Sequence, residues 1–112
     1  MEKVNPDSRL MQLQAFLEED PNDPFLLYAL ATEYQPTDVG KALVYFEQLL
    51  ANHPDYLATY YQVAHLYAEL GREEQAKQAF EKGIAKAKDQ KQAKTEQELQ
   101  NAYQNYLFEI ED

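Results

Sequence analysis

Apolar residues return along the chain at the spacing of a buried helix face rather than the alternation of a strand. Between Leu57 and Lys88 the steps are three, one and three (Tyr60, Val63, Ala64, Tyr67); Gly71 then interrupts, and Ala76, Phe80 and Gly83 follow at four and three. Two amphipathic helices joined by one tight turn account for that pattern. Earlier in the chain Leu10, Leu13, Phe16 and Leu17 mark one apolar face, and Leu27, Leu30, Ala31 and Tyr34 mark the next. Ala42, Leu43, Phe46, Leu49 and Leu50 follow, and near the end Leu99, Ala102, Tyr103, Tyr106 and Ile110. Between these faces stand residues that stop one helix and start another. Asn5-Pro6 reads as a start, with Asn as cap and Pro giving up a donor that had no partner. Asp23-Pro24 repeats the device, Pro36 ends a helix, Asp38 caps the next, and Asp55 is placed to cap the one that carries Tyr60. The polar stretch DQKQAKTEQE, residues 89–98, either extends the preceding helix or forms a longer connection.

The pattern repeats. A shift of 33 residues lays Leu27 on Tyr60, Leu30 on Val63, Ala31 on Ala64, Tyr34 on Tyr67 and Pro21 on Pro54, and it also lays Leu10 on Leu43 and Leu17 on Leu50. The first helix is therefore the second half of a unit whose first half is missing. A helix-turn-helix period of this length, with a large residue at Tyr60, small ones at Ala64, Ala76 and Gly83, the turn Gly71, the aromatic Phe80 and Pro54 closing the preceding unit, resembles the tetratricopeptide repeat family. Leu27 stands where that family usually has Trp, and Lys88 where a proline would close the unit. The resemblance implies an all-α, right-handed α-α superhelix of about six antiparallel helices in a single domain over 1–112. Its parts would be a half-repeat helix at 7–20, repeats at 24–54 and 57–88, and a capping helix at 95–111. A lone hairpin cannot bury its own stripe, so the two outer helices serve as covers.

Composition narrows the function. With 45% hydrophobic residues the chain can form a core, and without cysteine it holds neither a disulfide nor a thiolate metal site. No segment reaches the roughly 18 apolar residues of a membrane span, and the first residues lack an apolar leader core, so a soluble cytoplasmic protein away from membranes is expected. The formal net charge of −10 repels phosphate backbones and argues against nucleic acid. The charge is uneven, with 10 acids against 3 bases over residues 1–56 and 7 bases against 4 acids from Arg72 to Lys94, a stretch that reads first as a solvated helix face. His53 and His65 lack zinc-ligand spacing, Asp20, Asn22 and Asp23 lack the glycine and terminal Glu of a calcium loop, and no phosphate cradle or nucleophile motif occurs. No cofactor or metal is expected, and no enzymatic activity.

A binding function remains. At about 100° per residue, with Leu27, Tyr60 and Leu99 set to zero in their own helices, Tyr28 and Tyr61 lie near 100°, Thr32 and His65 near 140°, Phe25 near 160°, Leu107 near 80° and Phe108 near 180°. The resemblance implies that the first helix of each hairpin lines a concave groove. Phe25, Tyr28, Thr32, Tyr61, His65, Leu107 and Phe108 are then the candidate contacts to a peptide or helix of a partner protein, the aromatic ones supplying area at low entropy cost. Tyr28 and Tyr61 read equally well as fillers between helices. In the family's carboxylate-binding sites Lys, Arg and Asn occupy this groove; Tyr28, Thr32, Tyr61 and His65 stand there instead, which disfavours carboxylate-terminal peptides. The alternative is a self-assembling structural protein, a homodimer built on the last helix through Phe108.

Overall fold

Free backbone donors at each helix start and free acceptors at each end set the boundaries of the elements. The computed structural model describes residues 6–111, and among them there are six helices and no strand. These are α1 (Pro6–Glu19), α2 (Pro24–Tyr34), α3 (Val39–Asn52), α4 (Ala58–Glu69), α5 (Glu73–Asp89) and α6 (Ala93–Ile110). The all-α helical repeat expected from the 33-residue period is present. They fall into two compact units, one ending at Pro54 and the other beginning at Asp55.

In the first unit α2 packs on α1 and α3. Asp23 caps α2 by accepting a hydrogen bond from the Phe25 backbone at 2.9 Å, and Asp38 caps α3 by accepting from Lys41 at 3.1 Å. Cap removal at such positions costs about 1 kcal/mol. The cap assigned to Asn5 lies outside the described residues. His53 closes α3, and its Nε2 donates to the Asn22 carbonyl at 2.7 Å, tying the end of α3 to the α1–α2 turn. Leu27, Leu30, Ala31, Ala42, Phe46 and Leu49 are fully buried. Tyr34 stacks on Tyr45 with ring centres 5.9 Å apart, and its hydroxyl accepts from Gln14 of α1 at 2.6 Å. Phe16, expected on the apolar face of α1, is 55% exposed. α1 packs chiefly on α2, so only the sector around Leu13 is covered and its flank faces solvent.

In the second unit α5 returns the chain between α4 and α6 and packs on both. The start of α4 differs from expectation: its cap position is Leu57, with no side-chain bond, and two backbone bonds, Thr59 to Tyr56 and Tyr60 to Leu57, tighten its first turn. The Asp55 carboxylate instead accepts from Lys86 of α5 at 2.9 Å, drawn by a full charge rather than by the helix's partial one. Of residues 89–98, Asp89 ends α5 and Ala93 already begins α6, so only Gln90, Lys91 and Gln92 separate the two helices and no long connection forms.

Both turns of this unit use the same bonds. Arg72 donates to Tyr67 at 2.9 Å and Gly71 to Ala68 at 3.1 Å; Gln92 donates to Ala87 at 2.8 Å and Lys91 to Lys88 at 3.0 Å. This pairing terminates a helix by turning one residue into the left-handed region, where a side chain costs about 1–2 kcal/mol and glycine nothing. Gly71 (φ 73°) meets the requirement; Lys91 (φ 58°) takes the same conformation with a full side chain. Lys91→Gly is therefore expected to raise stability by about 0.5–1 kcal/mol once the greater freedom of unfolded glycine is subtracted. A higher urea midpoint at unchanged slope would show it.

Candidate functional site

The second unit holds a cleft of ≈ 730 Å³ between α4 and α6, with Phe80 of α5 beneath it. Its α4 wall is Tyr61, His65, Ala68 and Glu69. At helical spacing these four lie on the flank beside the buried stripe of Tyr60, Val63, Ala64 and Tyr67. The α6 wall carries Glu98, Asn101, Asn105 and Glu109 around Ala102, Tyr106 and Ile110. α5 is the helix on which both walls rest, so its central aromatic ring forms the base of the space between them.

Ring contacts hold this base together. His65 lies 4.5 Å from Tyr61 and meets Phe80 edge-on at 5.7 Å, both centre to centre. Tyr103 stacks on Phe80 at 5.2 Å with 17° between planes, and Tyr106 tilts against it at 5.9 Å. Such pairs contribute about 0.5–1.5 kcal/mol beyond the area they bury. The His65 Nε2 is buried with no hydrogen-bond partner, a cost to the folded state.

Of the two tyrosines of α6, Tyr103 meets a carboxylate through its hydroxyl. Tyr103 donates to the Glu81 carboxylate at 2.7 Å; burial first, and then this bond and the charge of Glu81, push its pKa up to about 12. The ordinary value is about 10, so the folded state holds this proton more tightly than the unfolded chain does. The resulting stability is complete below about pH 10 and is lost as pH rises toward 12. Absorbance titration should find Tyr103 ionising at about 12. Glu81→Gln should bring that step down without returning it to the ordinary value, because burial is the larger cause. The Tyr106 hydroxyl is raised too, by burial first, then by Glu73, with Lys77 opposing and Glu109 adding.

Of the residues expected to contact a partner, the cleft brings together Tyr61 and His65. Leu107 and Phe108 stand on α6 outside its lining, Leu107 half-buried and Phe108 75% exposed. In the first unit Phe25 is 68% exposed at the start of α2, and Tyr28 is half-buried and meets Phe46 edge-on at 6.2 Å. The Thr32 hydroxyl donates to the Ala29 carbonyl at 3.0 Å. Sequence reasoning missed the α6 wall, because it used one angular sector for every helix. Two parallel neighbours face each other with opposite flanks. From Leu99 the lining residues of α6 run from about 200° through 340° to about 20°, while those of α4 lie at about 80–180° from Tyr60. Glu98, Asn101, Asn105 and Glu109 recur at steps of three and four on that flank, a signal available in the sequence.

Among the described residues no group of three or more His, Cys, Asp and Glu side chains is placed to hold a metal, and no helix is long and apolar enough to cross a membrane.

Helices paired in antiparallel hairpins, with a side-chain-lined cleft over the second, define a helical-repeat protein. The profile of the tetratricopeptide repeat family matches residues 33–97. The chain is also similar to a tetratricopeptide repeat domain protein from Salinibacter ruber. Its solution NMR structure is 39% identical over 77% of this chain and 88% of that one, with a TM-score of 0.73. Its crystal structure is 39% identical over 75% and 94%, with a TM-score of 0.70. No curated protein matches the chain. The chain belongs to the tetratricopeptide repeat family.

Proposed function

We propose that this chain is a non-catalytic protein-interaction module, and that the cleft between α4 and α6 receives a peptide or helical segment of a partner protein. Membership of a family that mediates protein-protein interaction supports the general role. The observation that carries the site is the cleft itself, ≈ 730 Å³ over an aromatic base, with Tyr61 still 42% exposed on its wall. Peptide recognition of this kind rests on a few aromatic anchors within a polar rim, and Tyr61, Tyr106 and the carboxamides of Asn101 and Asn105 supply both. Filling the cleft tests the site without touching the core. Asn105→Trp and Tyr61→Ala should each abolish capture of partner proteins from host extract, with helical circular dichroism unchanged. Retention of the same partners by both variants would overturn the assignment.

A second reading has its own observation, the 75% exposure of Phe108 beside Leu107. It makes α6 the contact between two copies of the chain. Light scattering across a range of concentrations decides it: a dimer that Phe108→Glu dissociates supports self-association, and a concentration-independent monomer excludes it.

A further inference from the structure

Charge is segregated within the second unit. The helices that wall the cleft carry almost no Lys or Arg: α4 has none, His65 being its one basic side chain, and α6 has only Lys94, in its first turn and outside the cleft lining. Lys77, Lys82, Lys86 and Lys88 all lie on α5, and the remaining bases, Arg72 and Lys91, lie in the turns. The cleft lining therefore holds three carboxylates, Glu69, Glu98 and Glu109, and neither Lys nor Arg, its one basic side chain being His65. None of the three makes an ion pair among the described residues. The nearby base Lys77 reaches Glu73 at 3.5 Å, and that pair influences the Tyr106 hydroxyl from α5 rather than from the lining.

Unpaired carboxylates at both ends of a cleft with an aromatic base suit cations with long apolar stems, Glu69 and Glu109 at one end and Glu98 about 16 Å along α6 at the other. The charged end meets carboxylates on both walls, while the stem or a guanidinium plane lies on Tyr61 or Tyr106, whose ring faces attract cations. Arginine fits best, since its planar head can pair with a carboxylate through two hydrogen bonds and stack on a ring together. The carboxamides of Asn101 and Asn105, one turn apart on α6, are placed to bond the main chain of the same segment. An acidic segment would leave its carboxylates facing Glu69, Glu98 and Glu109 with no Lys or Arg on either wall, which like-charge repulsion disfavours.

We infer that the α4–α6 cleft selects a basic peptide segment, seating an arginine side chain between Glu69 at the end of α4 and Glu109 at the end of α6 beside the Tyr106 ring, while Glu98, about 16 Å back along α6, meets a second basic residue of the same segment. This rests on the cleft being a peptide site, as proposed above, and adds the chemistry of its occupant.

Three synthetic peptides of about 12 residues, enough for three helical turns, separate the two claims. They share leucines at helical spacing and differ only in carrying arginine, glutamine or glutamate at the intervening positions. Amide shifts of the full chain, read by two-dimensional NMR, report both site and affinity. The arginine peptide should shift Tyr61, His65, Asn101 and Asn105 to saturation. The glutamine peptide should bind about tenfold more weakly, and the glutamate peptide should give no shift. Glu98→Lys with Glu109→Lys should weaken the arginine peptide at least about 30-fold, at unchanged melting temperature. Salt raised from about 0.1 M to 1 M, which shortens the screening length from about 10 to 3 Å, should weaken it about tenfold. Equal affinity for the arginine and glutamine peptides in the cleft would overturn the basic preference and leave the peptide site standing. Shifts confined to residues outside the cleft, or no shift with any peptide, would overturn both.

Discussion

Gly83→Ala is expected to destabilise the α4–α6 unit by about 1–3 kcal/mol, although alanine is the better helix former by about 1 kcal/mol. A methyl group at Gly83 would lie 2.6 Å from Cβ and 3.0 Å from Cγ of Tyr60, and 3.1 Å from Cδ1 of Leu99. The Tyr60 Cβ is one bond from its backbone, so no change of rotamer carries it away; the helix itself has to move. Leu99 on the other side is fully buried and has no room to yield. One residue of α5 thus sets the approach of both neighbours, and moving α5 loosens Tyr60 and Leu99 together. Steric cost therefore outweighs propensity. Gly40 provides the contrast near the start of α3, where a methyl group would meet only the Asp38 Oδ1 at 3.5 Å, an ordinary contact. Gly40→Ala should be neutral or stabilising by a few tenths of a kcal/mol. Urea denaturation of the two variants should give shifts of opposite sign or of very different size. Equal stabilities would mean that the α5 seam relaxes without cost.

The same residue shows why so much of the fold was legible. A position that must be small between two helices leaves a periodic mark, and Ala64, Ala76 and Gly83 all fall on that mark and are buried. Asp23 and Asp38 were readable as caps because a short acceptor before a helix has a local role that distant packing does not alter. Legibility failed where the answer depended on neighbours. Asp55 has the same local pattern as the other caps, yet its carboxylate goes to Lys86, which lies 31 residues on and which no local rule brings near. Lys91 enters the left-handed region without the glycine that would announce it, held there by the bonds of Gln92 to Ala87 and Lys91 to Lys88. Phe16 sits in the right phase for burial but on a helix covered over a narrower sector than its stripe. For the candidate site the aromatic half, Tyr61 and His65, stood out because both rings fall on one flank of α4 beside its buried stripe. The acidic half did not, since glutamates on a helix flank look like any solvated surface until the opposite wall is known.

Phe80→Ala carries the largest expected loss, about 3–5 kcal/mol for removing a fully buried aromatic ring. Domains of ordinary stability hold about 5–15 kcal/mol in all, so the variant should be marginal. The ring is in contact with His65, Tyr103 and Tyr106, so its removal opens a cavity that three side chains border and none can fill without leaving its place. Tyr103 is held by its bond to Glu81, and His65 by its position on α4. Amide exchange in α4, α5 and α6 should accelerate accordingly. Phe80→Leu keeps most of the volume and should cost about 1 kcal/mol, leaving a folded protein whose cleft has lost the aromatic base. That variant separates structure from recognition. If the base acts only as packing, Phe80→Leu should bind the arginine peptide as the parent does. The lean of Tyr106 and the edge-on contact of His65 both depend on a flat ring at Phe80, however, so the anchors on the two walls should lose their alignment. Peptide affinity is then expected to fall about fivefold, a loss of about 1 kcal/mol, the size of one aromatic pair. Unchanged affinity in the leucine variant would assign the ring to the core alone.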